Sequence, residues 1–225
     1  MSVQDGLQRV RERINDAAAR GGRPPGAVRL VGVSKGNPPE LVAEAVAAGL
    51  RDIGENRVQE AAAKVPAVAS LVDDRPSWHL VGHLQTNKTR QALDLFDTIQ
   101  SVDSVRVAQA LSRRADRPLP VFLEVQFAHT PDRFGFEPDA IEDAYNAISV
   151  LPHIDIRGLM TVAPLGLEPA GIRGVFRRLR ERRDALQERR GMDGIELSMG
   201  MTDDYEIAVE EGATLVRIGR AIFAA

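Results

Sequence analysis

The chain has 225 residues, of which 44% are hydrophobic and 27% charged, with a net charge of −3 and no cysteine. A chain of this length can form one large core, its nearly balanced charge offers no field for nucleic acid or anionic membranes, and the lack of cysteine excludes disulfides, thiolate zinc sites and cysteine nucleophiles. The first twenty residues are too charged for a signal peptide and no apolar run could span a bilayer, so we expect a cytoplasmic protein.

The predicted elements begin with an amphipathic helix over residues 3–20, whose apolar residues recur every three or four positions. A turn-rich segment over residues 21–26 follows it. Short apolar runs then alternate with helical patterns. The predicted strands are 28–34, 51–54, 78–82, 97–101, 119–127, 154–160, 194–198 and 213–218. The predicted helices between them are 38–48, 56–69, 87–95, 104–115, 138–150, 169–190 and 203–211.

This alternation predicts an α/β fold, a (β/α)8 TIM barrel in which residues 1–225 form one domain. Continuous strands rich in Val, Ile and Leu are typical of a parallel sheet covered by helices, and eight such units favour closure into a barrel. An open doubly wound sheet is the alternative, but the chain has no Gly-rich dinucleotide fingerprint. Because this pattern places no helix after the eighth strand, we expect the N-terminal helix to complete the outer ring.

The segment 173–190 is dense in arginine, which raises the alternative of a nucleic-acid or partner-binding patch. However, Glu181, Asp184 and Glu188 interleave with the arginines, and an apolar stripe runs along one face. Aromatic residues that could stack on bases do not interleave with them. We therefore interpret the segment as an outer barrel helix, and we expect no nucleic-acid or membrane partner.

Lys35 ends the first predicted strand, in the run RLVGVSKGNPP. A lysine in this position can be a surface residue whose stem covers apolar groups. The alternative is an imine-forming amine, because functional groups of a βα barrel collect at the carboxyl ends of the strands. Burial there would disfavour the ammonium form and leave an amine able to attack a carbonyl.

The loops after strands seven and eight have the composition of an anion-binding site. LSMGM supplies the hydroxyl of Ser198 and the flexible Gly200, and VRIGR supplies Gly219 between two arginines. Barrels commonly build phosphate sites from these two loops, and Thr202 or Asp203 can cap a short helix there. We therefore expect a reactive amine across the mouth from an anion cradle. A ligand with an aldehyde and a phosphate would fit, which leaves pyridoxal 5′-phosphate (PLP) and the sugar phosphates of imine-forming aldolases.

The sequence as a whole resembles the pyridoxal phosphate homeostasis protein family, whose fold is the barrel half of the alanine racemase type. The matching motifs occur in the same order as in the family and cover almost the whole chain. Each motif alone is weak, but together they are specific. These pieces are VGVSK (31–35), DIGENRVQE (52–60), WHLVGHLQTNK (78–88), RGLMTVAP (157–164) and LSMGMTDDYEIAVEEGATLVRIGRAIF (197–223).

The resemblance implies that Lys35 carries PLP as an internal imine. It also implies that Ser198, Gly219 and Arg220 help to bind the phosphate, the last two through backbone N–H groups. Arg217 would lie beside the pyridine ring or the phosphate. The other residues expected at the cofactor are Asn56, His83, Met160, Met199 and Gly200.

The chain departs from the family pattern at several positions. Gln126 stands where asparagine is usual, and Arg133 stands near the usual lysine. Gly36 and Asn37 follow the reactive lysine where a Thr-Lys pair is common, and Arg220 replaces a usual threonine. These changes leave the imine and the cradle intact. They put in doubt a side-chain hydroxyl contact at position 220 and the lining that strand five contributes.

Two further groups of residues are candidates for chemistry. His79 and His83 are four apart on a predicted strand, but no carboxylate or thiolate is near them in the run, so we expect no metal site. We interpret His83 as a polar lining for the cofactor ring and His79 as a barrel-interior histidine. Glu55 is either a general base or the ion-pair partner of Lys35 or an arginine.

The remaining question is whether the protein is an enzyme. A racemase needs bases on both faces of the imine, and we expect no second domain here to supply one. The chain has two tyrosines, Tyr145 in a predicted helix and Tyr205 after the cradle. We therefore expect a monomeric carrier that buffers PLP in vitamin B6 homeostasis and delivers it to apo-enzymes. The alternatives are a weakly active PLP-dependent amino-acid racemase, an aldolase, and an interaction protein that uses its Arg-rich helix.

Overall fold

The structure of the chain is a computed structural model that describes residues 2–128 and 134–223. Its strands are β1 (Arg29–Val33), β2 (Asp52–Glu55), β3 (Ser77–Leu80), β4 (Thr98–Val102), β5 (Leu119–Glu124), β6 (Ile154–Met160), β7 (Glu196–Ser198) and β8 (Leu215–Ile218). Its α-helices are α1 (Val3–Arg20), α2 (Pro39–Ala47), α3 (Val58–Ala69), α4 (Thr89–Leu95), α5 (Val105–Ser112), α6 (Ile141–Ser149), α7 (Pro169–Arg190), α8 (Tyr205–Glu210) and α9 (Arg220–Phe223).

The eight strands form a closed parallel barrel in chain order, in which β1 pairs with β8. The predicted (β/α)8 TIM barrel is therefore confirmed. Each predicted strand overlaps an observed one, with differences at the ends. Strand β5 is shorter than its apolar run, because Val125 makes only an isolated bridge to Phe136. The short helix α9 was not predicted.

Helix α1 completes the outer ring, as expected from the sequence. It packs against α2 on one side and against α8 and α9 on the other. The helix begins with a capping box in which Ser2 and Asp5 satisfy each other's backbone N–H groups. Its predicted apolar stripe is buried throughout, and consists of Val3, Leu7, Val10, Ile14, Ala17 and Ala18.

The strands divide their side chains between two layers, because successive residues of a strand point to opposite faces of the sheet. The outer layer, between the barrel and the helices, is the large apolar core and includes Ile53 and Leu80. The inner layer contains a small apolar cluster made of Val31, Phe122, Met160 and Leu215. The rest of the barrel interior is markedly polar, and its hydrogen bonds bear on the site described below.

Helix α7 contains the Arg-rich segment, and its apolar stripe packs on the barrel. Several arginines pair with carboxylates of the chain itself: Arg173 with Glu210 and Glu211, Arg177 and Arg180 with Glu211, Arg182 with Asp139, and Arg189 with Glu142. This pairing supports the interpretation of an outer barrel helix. Within the described ranges, no helix is both long enough and apolar enough to cross a membrane.

Candidate functional site

Lys35 occupies the second position of a tight turn that follows β1. The N–H of Asn37 donates to the carbonyl oxygen of Ser34 at 3.0 Å, and Gly36 has a φ of +73°, a conformation that favours glycine. The Lys35 side chain is exposed, and its ammonium has no hydrogen bond or ion pair with any residue that the structure describes. The expected burial of this amine is wrong, because the strand ends at Val33 and the turn lies outside the packed barrel.

A buried ionic cluster surrounds this turn. The Nζ of Lys64 lies 2.5 Å from Oε1 of Glu55, 2.8 Å from the carbonyl oxygen of Ser34 and 3.0 Å from Oε1 of Glu60. The Ser34 hydroxyl donates to Glu55 at 2.6 Å, and the N–H of Gly36 donates to Glu60 at 2.6 Å. These five residues are called the Lys64 cluster below.

The ion-pair partner of Glu55 is therefore Lys64 rather than Lys35 or an arginine. Strand alternation turns Glu55 outward with Ile53, toward helix α3, and Lys64 meets it from that helix. Burial raises the pKa of Glu55, although Lys64 and Ser34 oppose this. Sequence reasoning missed Lys64, and the available signal was a lysine on the apolar side of an amphipathic helix.

Inside the barrel, five side chains form a continuous series of hydrogen bonds, called the interior chain below. Arg217 Nη1 donates to Ser198 Oγ at 2.6 Å, and that hydroxyl donates to Gln100 Oε1 at 2.6 Å. Gln100 Nε2 lies 3.0 Å from His79 Nδ1, and His79 Nε2 lies 2.9 Å from Asp52 Oδ1. A neutral histidine that accepts at Nδ1 and donates at Nε2 completes the series.

Arg217 is thus a buried interior residue, only 4% exposed, and its second amino group donates to the carbonyl oxygen of Thr161 at 2.8 Å. Burial lowers the pKa of Arg217 to about 10. Its position beside a cofactor ring remains a prediction. The hydroxyl of Ser198 is committed to the interior chain, so its contact with a phosphate also remains a prediction.

The two loops of the predicted cradle need their glycines. Gly200 has a φ of +96°, and a Cβ there would lie 2.6 Å from the Cβ of Ala208. A Cβ at Gly219 would lie 2.9 Å from the carbonyl oxygen of Val33, a backbone atom that cannot easily move away. Arg220 and Asp203 form an exposed ion pair that joins the two loops. Both glycines are thus required by packing within the chain itself, and phosphate binding by these loops remains a prediction.

The barrel's closure corrects the expected placement of the amine relative to the cradle. Strands β1 and β8 are neighbours, with Gly32 paired to Ile218. The residues that follow these strands are therefore side by side, and Gly219 packs against Val33, two residues before Lys35. The turn that carries Lys35 and the loop of Gly219 are therefore adjacent rather than across the mouth from one another. The order of the strands along the chain hid this, because β1 and β8 are its most distant strands.

The two histidines have separate environments, and the expectation that both belong to one strand is wrong. His79 belongs to the interior chain, whereas β3 ends at Leu80 and His83 lies in the loop beyond it. His83 Nδ1 is 2.7 Å from Asp103 Oδ2, and its ring stacks on Phe134 with 3.6 Å between the ring centroids. In the described part of the chain, no three potential ligands cluster as a metal site would require.

A cavity of about 580 Å³ lies beside His83, lined also by Asp103 and Phe134. Neither Lys35 nor Gly219 lines it. The candidate site is instead where strand pairing and the contact of Gly219 with Val33 bring the Lys35 turn and the Gly219 loop side by side. The contact of His83 with a cofactor remains a prediction.

Three further residues expected at the cofactor have different placements. Asn56 follows β2, is half-buried, and its side-chain amide makes no hydrogen bond to a described residue. Met160 packs in the inner apolar cluster. Met199 packs in the outer core, and its N–H donates to the carbonyl oxygen of Leu215, which argues against the expected contact with a cofactor. Its side chain faces outward because it follows the inward-facing Ser198.

Gln126 is one of the departures from the family pattern at the end of strand five. Gln126 donates through Nε2 to Glu137 at 2.8 Å. Arg133 lies outside the described residues.

The two tyrosines are held in the outer layer rather than at the mouth. The hydroxyl of Tyr145 donates to the sulfur of Met192, and the ring of Tyr205 lies under the guanidinium of Arg13 on α1. Burial raises the pKa of Tyr205. Neither tyrosine is placed to act as a base beside Lys35.

Comparisons with known proteins extend this picture. The family model described as Alanine racemase, N-terminal domain matches residues 6–225. A pyridoxal phosphate homeostasis protein from Pseudomonas aeruginosa is 41% identical, over 100% of this chain and 96% of that protein. The protein of the same name from Aquifex aeolicus is 38% identical, over 99% of this chain and 98% of that protein.

Solved structures agree with these sequence matches. PipY of Synechococcus elongatus, determined with PLP bound, is 38% identical and has a TM-score of 0.85, covering 99% of this chain and 100% of that one. Alanine racemase of Corynebacterium glutamicum is 17% identical with a TM-score of 0.71, covering 97% of this chain and 60% of that one, and it shares the fold. The chain therefore belongs to the family of pyridoxal phosphate homeostasis proteins, built on the alanine racemase N-terminal domain.

Proposed function

We propose that this protein binds PLP through an imine on Lys35 and acts as a cytoplasmic, monomeric carrier in vitamin B6 homeostasis. One observation carries the proposal: an exposed primary amine lies two residues beyond Val33, whose carbonyl oxygen packs against Gly219 of the predicted phosphate loop. The names of the relatives and the PLP bound to PipY support the same ligand.

The residues around the turn have the chemistry that this ligand requires. Nζ of Lys35 would form a bond to the aldehyde carbon, and the aldehyde oxygen would leave as water, which gives the imine. Backbone N–H groups at Gly219 and Arg220 would hold the phosphate. Arg217 would present its guanidinium beside the ring, and a donor there keeps the ring nitrogen unprotonated. PLP supplies an electron sink when bound, which such a partner weakens.

The geometry favours a carrier over a racemase. Racemisation requires a proton donor and a proton acceptor on opposite faces of the bound amino acid. Both tyrosines of the chain, Tyr145 and Tyr205, are buried in the outer apolar core. An exposed Lys35 would in contrast suit a cofactor that has to be handed to an apo-enzyme.

The first experiment locates the imine. The chain contains three lysines, namely Lys35, Lys64 and Lys88, so reduction with borohydride and peptide mapping gives an unambiguous answer. We expect the purified protein to be yellow with PLP and to carry the reduced adduct on Lys35, and Lys88→Ala to be indistinguishable from wild type. An adduct on Lys88, or none, would contradict the proposal.

The second experiment tests the carrier role. The PLP-loaded protein is mixed with an apo-form of a PLP-dependent enzyme, and recovery of that enzyme's activity is followed with and without a scavenger of free PLP. We expect recovery that the scavenger does not abolish, together with negligible racemisation of alanine. Rapid racemisation by the loaded protein would favour the enzyme alternative.

A further inference from the structure

The Lys64 cluster is built around the one turn that presents Lys35. We propose that Lys64 is a positioning residue: together with Glu55 and Glu60 it fixes the backbone on both sides of Lys35, so that the amine is held ready for an aldehyde. This inference rests on the proposed function and names the residues that prepare its reactive group.

The residue before Lys35 is held at every polar atom. The Ser34 carbonyl oxygen accepts from Lys64 Nζ at 2.8 Å and from the N–H of Asn37 at 3.0 Å. Its hydroxyl donates to Glu55, and its N–H donates to the carbonyl oxygen of Gly54 at 2.9 Å. Ser34 is fully buried. The entry to the turn is therefore fixed by β2 and by the ammonium of Lys64.

The residue after Lys35 is held by the same ammonium through one carboxylate. The Gly36 N–H donates to Glu60 Oε1 at 2.6 Å, and Lys64 Nζ binds that oxygen at 3.0 Å. The side-chain amide of Asn37 also donates to the carbonyl oxygen of Lys35 at 3.2 Å. Within the described turn, the backbone is thus anchored on both sides, while the Lys35 side chain is left free.

A buried ion pair is by itself weak evidence of a contribution to the stability of the fold. Lys64 is 5% exposed and Glu55 is fully buried, and replacing a buried ion pair by apolar groups of similar volume is often neutral or stabilising. Glu55 Oε2 also lacks a hydrogen-bond partner among the described residues, which adds to the cost of burial. A costly cluster that contacts Ser34 and Gly36 but leaves Lys35 untouched is better explained by its effect on the turn.

The test separates imine formation from non-covalent binding. The variant Lys64→Met combined with Glu55→Gln removes both buried charges together, so that neither is left unpaired. We expect imine formation with PLP to slow by about tenfold to hundredfold, because small displacements of a reacting group carry penalties of this size. Affinity for pyridoxine 5′-phosphate, which has the ring and phosphate but no aldehyde, should stay within about twofold of wild type.

A readout without cofactor checks the same idea. In the cofactor-free double variant, hydrogen exchange at the amide of Gly36 should be faster than in wild type. The reason is that Lys64 no longer holds the Glu60 carboxylate, which accepts the hydrogen bond of that amide. Glu60→Leu is a second variant in case the double variant does not fold, since Glu60 is partly exposed. It removes the acceptor of the Gly36 N–H and should slow imine formation by a smaller factor.

The control removes a more exposed ion pair elsewhere in the chain, with side chains 33% and 6% exposed against 5% and 0% for Lys64 and Glu55. Arg180→Met combined with Glu211→Gln takes apart a pair between α7 and the end of α8. It should change neither the rate of imine formation nor the affinity for the aldehyde-free ligand.

Three outcomes would count against the inference. Wild-type rates of imine formation in both Lys64-cluster variants would overturn it while leaving the proposed function intact. Equal losses of imine formation and of pyridoxine 5′-phosphate affinity would show a merely structural cluster. If the wild-type protein forms no imine on Lys35, the proposed function fails first, and this inference fails with it.

Discussion

The Lys64 cluster and the interior chain each position one candidate functional residue, but the first fixes a backbone and the second fixes a side chain. The Lys64 cluster lies between the barrel and α3, contains three ionisable side chains, and fixes the backbone around an exposed Lys35. The interior chain lies inside the barrel, links mainly neutral groups, and fixes the side chain of a buried Arg217 directly. A group that must react with an incoming ligand is left free on a fixed backbone. A side chain such as Arg217, which has only to lie beside a bound ligand, is itself fixed by hydrogen bonds.

The largest expected effect comes from removing the free amine. Lys35→Ala should abolish the imine absorbance of the PLP-treated protein. Its free energy of unfolding should change by less than about 0.5 kcal/mol, because the side chain is exposed and makes no packed contact. Visible spectra and urea unfolding measure the two quantities. If the Lys35→Ala protein is yellow and traps PLP with borohydride, then Lys35 is not the reactive amine and the comparison of the two regions fails.

The next largest effect is expected from a substitution that displaces the loop of Gly219. Gly219→Val should weaken PLP binding by about tenfold or more, equivalent to at least 1.4 kcal/mol, since its Cβ would press on the carbonyl oxygen of Val33. Binding of pyridoxal, which lacks the phosphate, should weaken less. Gly174→Val is the matched control, because a Cβ at Gly174 meets nothing within 4 Å. Equal losses for both ligands would place the phosphate elsewhere.

A change inside the barrel should act mainly on stability. Arg217→Met would leave the hydroxyl of Ser198 and the carbonyl oxygen of Thr161 without their buried donor. We expect the free energy of unfolding to fall by about 1–3 kcal/mol, measured by urea unfolding of the cofactor-free protein. A stability equal to that of wild type would show that the interior chain does not depend on its guanidinium.

The smallest expected effect is a difference in pH dependence between the two regions. Partial burial works to raise the pKa of Glu60, but hydrogen bonds from Gly36 and Lys64 lower it overall from its usual 4.5. Its contribution to stability is therefore full above pH 4.5 and is lost as the pH falls through the lowered pKa. Glu60→Gln should lose less stability than wild type on acidification, by less than about 1 kcal/mol.

For Arg217, in contrast, the contribution to stability should not depend on pH in the acid range. Burial lowers its pKa to about 10, so the guanidinium stays protonated across the acid range. The stability difference between wild type and Arg217→Met should be constant from neutral pH down to the acid limb. A difference that changes with acid in step with Glu60→Gln would mean that the two regions are coupled.

Local pattern was enough to predict most of the fold. The period of apolar residues identified α1 with its buried stripe and the eight strands, because burial of one face repeats at the period of the element itself. The position of Lys35 at a strand end and the glycines of the last two loops could be found in the same way. Element ends were less accurate, as in β5, where pairing with neighbouring strands decides how far the ladder extends.

What only the tertiary structure decided is which of these groups meet. Closure of the barrel placed the residues after β1 and β8 side by side, and strand direction sent Ser198 inward and Met199 outward. It also buried Lys64 with Glu55, which the sequence analysis did not foresee, and left Lys35 exposed although its burial was expected. The sequence by itself determined the elements and their apolar faces, since those depend on neighbours along the chain. The contacts between charges depend on pairing across the sheet and on helix packing, and these are properties of the whole barrel.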